Sequence, residues 1–315
     1  MARTPRAAMI GRISIKSGRL PMQTSQANFA SATPPFEYSR ITTRDALALP
    51  LYRWHVAGPR RATIALIHGL AEHARRYATL AHTLTAHGIE LVAVDLRGHG
   101  NAPGRRAWVE RFDDYLLDAH ALVAEAARNG GPLFLMGHSM GGAIAALHAI
   151  ERHADDARDL SGLILSSPAL APGRDVPRWM LALSQKISLV WPRFPAMKID
   201  ATLLSRDQHV VAANRNDPLV HHGAIPARTG AELLLAMQRI ELGRARLRTP
   251  LLIWHGSADK LTEPQGSRDF GAHAGSPDKT LTLYDGSYHE TMNDLDRERV
   301  IDALVAWIVA RSERG

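Results

Sequence analysis

The stretch PLFLMGHSMGGAIAALHAI, residues 132–150, decides how this chain is read. It opens as a short apolar strand, breaks at Gly137, exposes one serine and resumes as an alanine-rich helix with one apolar face. A buried strand passing into a helix needs no hydroxyl at the corner. Residues Gly137, His138, Ser139, Met140 and Gly141 fit the G-x-S-x-G pattern, in which a strained turn holds a serine oxygen clear of the backbone. Side chains at 137 and 141 would collide with the packed strand and helix, and Gly142 would let that helix start close to the sheet. The bland alternative is a Gly/Ser turn without chemical purpose, and the flanking strand and helix weigh against it.

Outward from this corner the pattern is regular. On the N-terminal side, two short strands around YSRITT and LPLYRWHV precede TIALIHG, a helix near 71–86, the strand IELVAVDL and the helix FDDYLLDAHALVAEAAR. On the C-terminal side comes LSGLILSS and, after a break, the helix AELLLAMQRI, the strand PLLIWHG, a helix near 263–273, the strand TLTLYDG and a closing helix. Apolar strands alternating with amphipathic helices predict an α/β fold, with a mostly parallel sheet covered on both faces and its active groups at the carboxyl ends of the strands.

The rhythm fails over 168–227, where seven prolines and no clear strand indicate an insertion. Within it, Trp179, Leu183, Ile187 and Val190 fall at helical spacing. That stripe either packs the insertion onto the body or faces a substrate.

With 315 residues, 45% of them hydrophobic, the chain can build one large domain over 36–315 without a second. It has no cysteine, which excludes disulfides, thiolate nucleophiles and cysteine-bound zinc. The longest apolar run, ALVAWIVA, is far below the ~18 residues of a membrane span, so the protein is expected to be soluble and cytoplasmic, at most peripheral to a membrane. The net charge of +7 does not signal nucleic-acid binding, because Arg3, Arg6, Arg12, Lys16 and Arg19 supply five of those charges in an acid-free leader. That leader, taken as 1–35, reads as a disordered basic segment without the apolar core of a signal peptide. An upstream start codon explains it better than a tail that touches acidic surfaces, with Met22 as the more ordinary beginning.

A serine hydroxyl needs a base to take its proton and an acid to hold that base in one tautomer. Asp259 follows the penultimate strand and His289 the last one. The other acid position used on such folds, after the strand that follows the serine helix, reads SSPA and holds no carboxylate. Asp285 belongs to the turn leading to His289 and more plausibly shapes it. Backbone N–H groups of Met140, at the start of a helix, and of Leu70, in the HGL turn, are candidates to stabilise an oxyanion. After the same turn Glu72 and Arg76, four apart on the next helix, can form an ion pair; as an exposed pair it would matter little, and the alternative is a role in holding the turn. His221 and His222 lack neighbouring ligands at metal spacing, and no motif calls for a metal or organic cofactor.

The segments HGLAEHARRY, DLRGHGNAPGRR, GHSMGG, NDPLVHHG, GSADKL and YDGSYHE, in this order, resemble the monoacylglycerol lipase and lysophospholipase group of α/β-hydrolases, also called serine aminopeptidase-like hydrolases. The resemblance runs from about Tyr38 to the C-terminus. It implies the α/β-hydrolase fold, a triad of Ser139, Asp259 and His289, an oxyanion hole at Leu70 and Met140, and a mobile lid matching 168–227. The implied reaction is hydrolysis of a small single-chain lipid ester, with monoacylglycerol ahead of lysophospholipid or a general carboxylic ester. Trp179, Leu183 and Ile187 become candidate substrate contacts, and the basic lid a candidate for peripheral membrane contact. An amine-recognising peptidase is disfavoured, because 168–230 carries eight Arg/Lys and four Asp without a single Glu. Retention of serine, acid, base and glycines argues against a non-catalytic binding module.

Overall fold

The computed structural model describes residues 36–151, 159–173 and 178–313, with backbone alone for 178–182 and 184. The leader at 1–35 therefore lies outside the described residues. Two strands come first, β1 (Glu37–Thr42) and β2 (Ala48–Trp54). Strands and helices then alternate through β3 (Ala62–Ile67), α1 (Ala78–Ala86), β4 (Ile89–Val94), α2 (Phe112–Ala126), β5 (Leu133–His138), α3 (Met140–Ile150) and β6 (Gly162–Ser166). The next segment holds α4 (Arg178–Val190), β7 (Pro195–Met197), α5 (Gln208–Asn216) and β8 (Ile225–Pro226). Alternation resumes with α6 (Ala227–Gly243), β9 (Leu251–Gly256), α7 (Pro264–His273), β10 (Lys279–Tyr284) and α8 (Arg297–Ser312).

Eight strands form one sheet in the order β1-β2-β4-β3-β5-β6-β9-β10. Only β2 runs antiparallel to its neighbours β1 and β4, and the remaining pairs are parallel, as helical crossovers require. Strands β3, β4, β5 and β6 are buried along their whole length, which is why their sequences are continuous apolar runs. Alternation sorts their side chains between two layers. Ile64 and Leu66 pack with Leu80 and Leu84 of α1 and Leu304 and Trp307 of α8, while Ala65 and Ile67 face Phe112 and Tyr115 of α2 and Ile144 and Leu147 of α3. Truncating one of these buried Leu or Ile side chains to Ala costs about 2–5 kcal/mol.

The structure departs from the sequence reading in four places. The helix expected over 71–86 begins later: Ala71 has φ +67°, a 3-10 turn occupies Ala74–Tyr77, and α1 starts at Ala78. The left-handed backbone at Ala71 cannot enter a helix. Strand β5 continues past Gly137 to His138, because both residues still pair with β6. The 168–227 segment, read as strandless, contains the short antiparallel pair β7-β8. It also holds α5, whose cap is the Asp207 carboxylate accepting from His209 N at 2.9 Å.

Candidate active site

Ser139 stands at the corner between β5 and α3 with φ +55° and ψ −121°, a backbone state that L-residues rarely adopt. Close packing holds it there. A methyl group at Gly137 would lie 2.1 Å from the Gly141 carbonyl oxygen, and one at Gly141 would lie 2.2 Å from that of Ile67. Gly142 makes room for Pro168 as well as for the sheet, since a Cβ there would meet the Pro168 Cβ at 2.6 Å and the Gly137 carbonyl oxygen of β5 at 3.3 Å. The serine is pinned on both sides: its N–H donates to Ser166 O at 3.0 Å, and its carbonyl accepts from Ala169 N at 3.0 Å.

The ends of β9 and β10 bring Asp259 and His289 together. His289 Nδ1–H donates to Asp259 Oδ2 at 2.7 Å, and Leu261 N and Thr262 N donate to the other carboxylate oxygen at 2.8 and 3.1 Å. Asp285 shapes the neighbouring loops, as expected: its Oδ1 accepts from Ser257 Oγ at 3.0 Å, and the same Oγ accepts from Gly286 N at 2.8 Å. Burial alone would push the Asp259 carboxyl up, but the positive charge available on His289 and the hydrogen bonds from His255 and His289 hold it well below the usual carboxylate range. Burial pulls the His289 imidazole down, and Asp259, Glu290 and Glu72 outweigh it, so its pKa rises above the ordinary value. Behind it lies His138, its ring centroid 4.7 Å from that of His289 and its Nδ1 3.1 Å from Ser166 O. Burial and the neighbouring His289 lower His138 to about 4, so near neutral pH it is an uncharged wall. With Nδ1 committed to Asp259, His289 has Nε2 left to accept a proton from a hydroxyl in the cavity that it shares with Ser139.

The turn after β3 faces the same space. A Cβ on Gly69 would lie 3.2 Å from the Ser139 Cβ, so the Gly69–Leu70 backbone passes directly beside the serine. Neither Leu70 N nor Met140 N has a backbone acceptor among the described residues. Both line the cavity, where two such donors could receive an oxyanion. The Glu72–Arg76 pair is not the exposed, inconsequential one; the alternative, that it holds the turn, fits the structure. Glu72 is buried, and its Oε1 accepts from Gly69 N at 2.6 Å and from Tyr77 Oη at 2.8 Å. Arg76 donates to Glu72 at 2.7 Å and reaches Glu290, next to His289 in sequence, with two bonds of 2.7 and 2.9 Å. Despite their burial, both carboxyls are held low by the guanidinium between them. Spacing on a helix ranked this pair as a surface feature, since the turn that folds it inward is not a helix at all. A glutamate beside His289, with no Lys or Arg within six residues, was the available signal.

The cavity measures about 1480 Å³. Ser139, His289, Glu72, Arg76 and Glu290 line it together with apolar Leu183, Ile187, Phe194, Leu233 and Met237. Of the candidate substrate contacts, Leu183 and Ile187 line this cavity, whereas the side chain of Trp179 lies outside the described residues. Val190, expected on the same stripe, is 89% exposed, and Leu189 and Trp191 beside it also stand in solvent. His222 Nε2 sits 3.1 Å from Asp217 O, and among the described residues no cluster of three His, Cys, Asp or Glu side chains could hold a metal ion. Nor is any helix of the described residues long and apolar enough to cross a membrane.

Comparison with known proteins agrees with this geometry. The family model for serine aminopeptidase, S33, matches residues 58–296. A monoacylglycerol lipase from Mycolicibacterium smegmatis is 35% identical over 252 residues, 79% of this chain and 89% of that protein. The monoglyceride lipase of Homo sapiens is 32% identical over 298 residues, covering 93% and 97%. The crystal structure of Paleococcus ferrophilus monoacylglycerol lipase superposes with a TM-score of 0.73 at 32% identity, over 84% of this chain and 99% of that one. A serine on a strained elbow, an Asp–His pair at neighbouring strand ends and these likenesses lead to one conclusion: the chain belongs to the serine aminopeptidase S33 family of α/β-hydrolases.

Proposed function

We propose that this chain is a carboxylic ester hydrolase that cleaves monoacylglycerol to fatty acid and glycerol through an acyl-serine intermediate. The observation that carries the reading is the two-sided cavity, with Ser139 and His289 beside charged Glu72, Arg76 and Glu290, and apolar Leu183, Ile187 and Met237 elsewhere on its wall. A single-chain lipid ester has the matching division. Each methylene buried against the apolar wall is worth ~0.8 kcal/mol, so several together set chain preference.

Ser139 Oγ attacks the ester carbonyl while His289 Nε2 takes its proton, and Asp259 stabilises the resulting imidazolium. The N–H groups of Leu70 and Met140 receive the oxyanion. Collapse breaks the bond to the glycerol oxygen, which leaves with the proton from His289. Water then gives its proton to His289 and adds to the acyl carbon. The second collapse releases the fatty acid and returns the proton to Ser139. Residues 168–227 act as a lid. Its exposed Leu189, Val190 and Trp191, beside basic Lys186 and Arg193, suit contact with a lipid surface from which substrate is drawn.

A hydrolysis panel of monoacylglycerols, triacylglycerols, lysophospholipids, short p-nitrophenyl esters and aminoacyl amides tests the reading. Monoacylglycerols of medium or long chain are expected to give the highest kcat/KM, with release lost in a folded Ser139→Ala variant. Exposed Lys198, Arg215 and Lys260 on the cavity rim favour lysophospholipid as the second reading, and a higher kcat/KM on that class selects it. Preference for acetyl esters or for aminoacyl amides rejects both.

A further inference from the structure

A second histidine touches the acid of the site. His255, near the end of β9, is fully buried, and its Nε2 lies 3.0 Å from Asp259 Oδ2, the oxygen that also receives His289 Nδ1–H at 2.7 Å. Its other nitrogen, Nδ1, sits 2.7 Å from Ser267 Oγ on α7. One arrangement of protons satisfies both contacts with a neutral ring: the Ser267 hydroxyl donates to Nδ1, and Nε2–H donates to the carboxylate. Thr262 Oγ1 completes the cluster at 2.8 Å from Asp259 Oδ2 and 3.1 Å from His255 Nε2. The proton transfers proposed above leave His255 without a part, although a buried polar ring is costly unless its contacts matter.

We infer that His255 is a positioning residue for the reaction: from behind the site, its Nε2–H holds Asp259 ionised and oriented toward His289. This rests on the reading of Asp259 as the acid partner of His289. The physical case has two parts. An ionised carboxylate in a dry site needs donors, and Asp259 Oδ2 is turned away from the backbone N–H groups that serve Oδ1. Held in this way, the carboxylate keeps its charge facing His289, where it stabilises the imidazolium formed during turnover. The ionised carboxylate only accepts, which places a proton on His255 Nε2, and the Ser267 hydroxyl holds the ring from its other nitrogen.

The test compares His255→Leu, which removes the donor, with His255→Gln, whose side-chain amide can place an N–H near the Nε2 position. Each is measured for kcat, KM and the pH profile of kcat/KM on a water-soluble ester, with thermal unfolding as the check of fold. The leucine variant is expected to lose about 10- to 100-fold in kcat at little change in KM, the scale of a lost hydrogen bond to a buried charge. Its acid limb moves to higher pH, because Asp259, with one donor fewer, bears more strongly on His289. The glutamine variant recovers most of the rate and returns the limb. Acting through Asp259 also means that His255→Leu adds little to the loss already caused by Asp259→Asn. Equal losses in the leucine and glutamine variants, an unmoved limb, or multiplicative losses with Asp259→Asn would each overturn the inference. If the leucine variant does not fold, Ser267→Ala is read instead; it removes the group that holds the ring at Nδ1 and moves the limb the same way, and an unmoved limb rejects the role. Retained activity in Asp259→Asn alone would instead overturn the assignment of Asp259, separately from that of His255.

Discussion

Arg76 spans the gap between the turn after β3 and the loop after β10, gripping Glu290 with two hydrogen bonds while one of the same nitrogens holds Glu72. The two loops it joins carry the Leu70 amide and His289. Removing the guanidinium leaves two buried carboxylates facing each other, so Arg76→Met is expected to destabilise the protein by about 3–5 kcal/mol. Denaturant unfolding measures this. A midpoint within experimental error of the parent would show that the clasp contributes nothing.

The same cluster sets a pH dependence. His289 acts as base only when neutral, and its pKa is raised, with Asp259, Glu290 and Glu72 outweighing burial. Activity is therefore lost as pH falls through the raised pKa of His289, above the ordinary value for an imidazole. Glu290→Gln removes one raising charge, so the acid limb of kcat/KM moves to lower pH. A limb that moves upward, or stays, contradicts this electrostatic account.

Ser139→Ala and His289→Ala are each expected to lower ester turnover by about 10,000-fold or more while unfolding as the parent does, because the three residues act as a unit. Labelling by a fluorophosphonate probe should vanish in the serine variant. A folded Ser139→Ala protein with a tenth of the parental rate would remove the serine from the mechanism.

The two parts of α4 should separate by substrate form. Leu183→Ala and Ile187→Ala, on the cavity wall, are expected to alter the chain-length profile in detergent solution. Trp191→Ser and Val190→Ser, in solvent, should leave that profile unchanged and reduce the rate on vesicle-borne substrate. An exchange of these phenotypes would place the acyl channel elsewhere.

Gly137→Ala tests the elbow itself. Its methyl group would lie 2.1 Å from a backbone oxygen that cannot move without displacing α3, so little soluble, folded protein is expected on expression. Normal yield and activity would mean that the turn relaxes.

What the sequence by itself determined were the features with a local signature. Continuous apolar runs identified the buried strands, and the Gly-x-Ser-x-Gly corner marked Ser139 as the candidate nucleophile. Residue order at successive strand ends located Asp259 and His289, because parallel strands deliver their carboxyl ends to one edge of the sheet. Only the tertiary structure decided which polar groups near that edge lose their water. Glu72 and Arg76 read as a surface pair until the left-handed Ala71 turned them inward, against a glutamate 214 positions further along the chain. His255 read as one more residue of an apolar strand until α7 and the Asp259 loop closed over it. Spacing along a chain records which neighbours share a face; burial, which sets the strength of every charge and hydrogen bond, depends on what packs above that face and is written in no single segment.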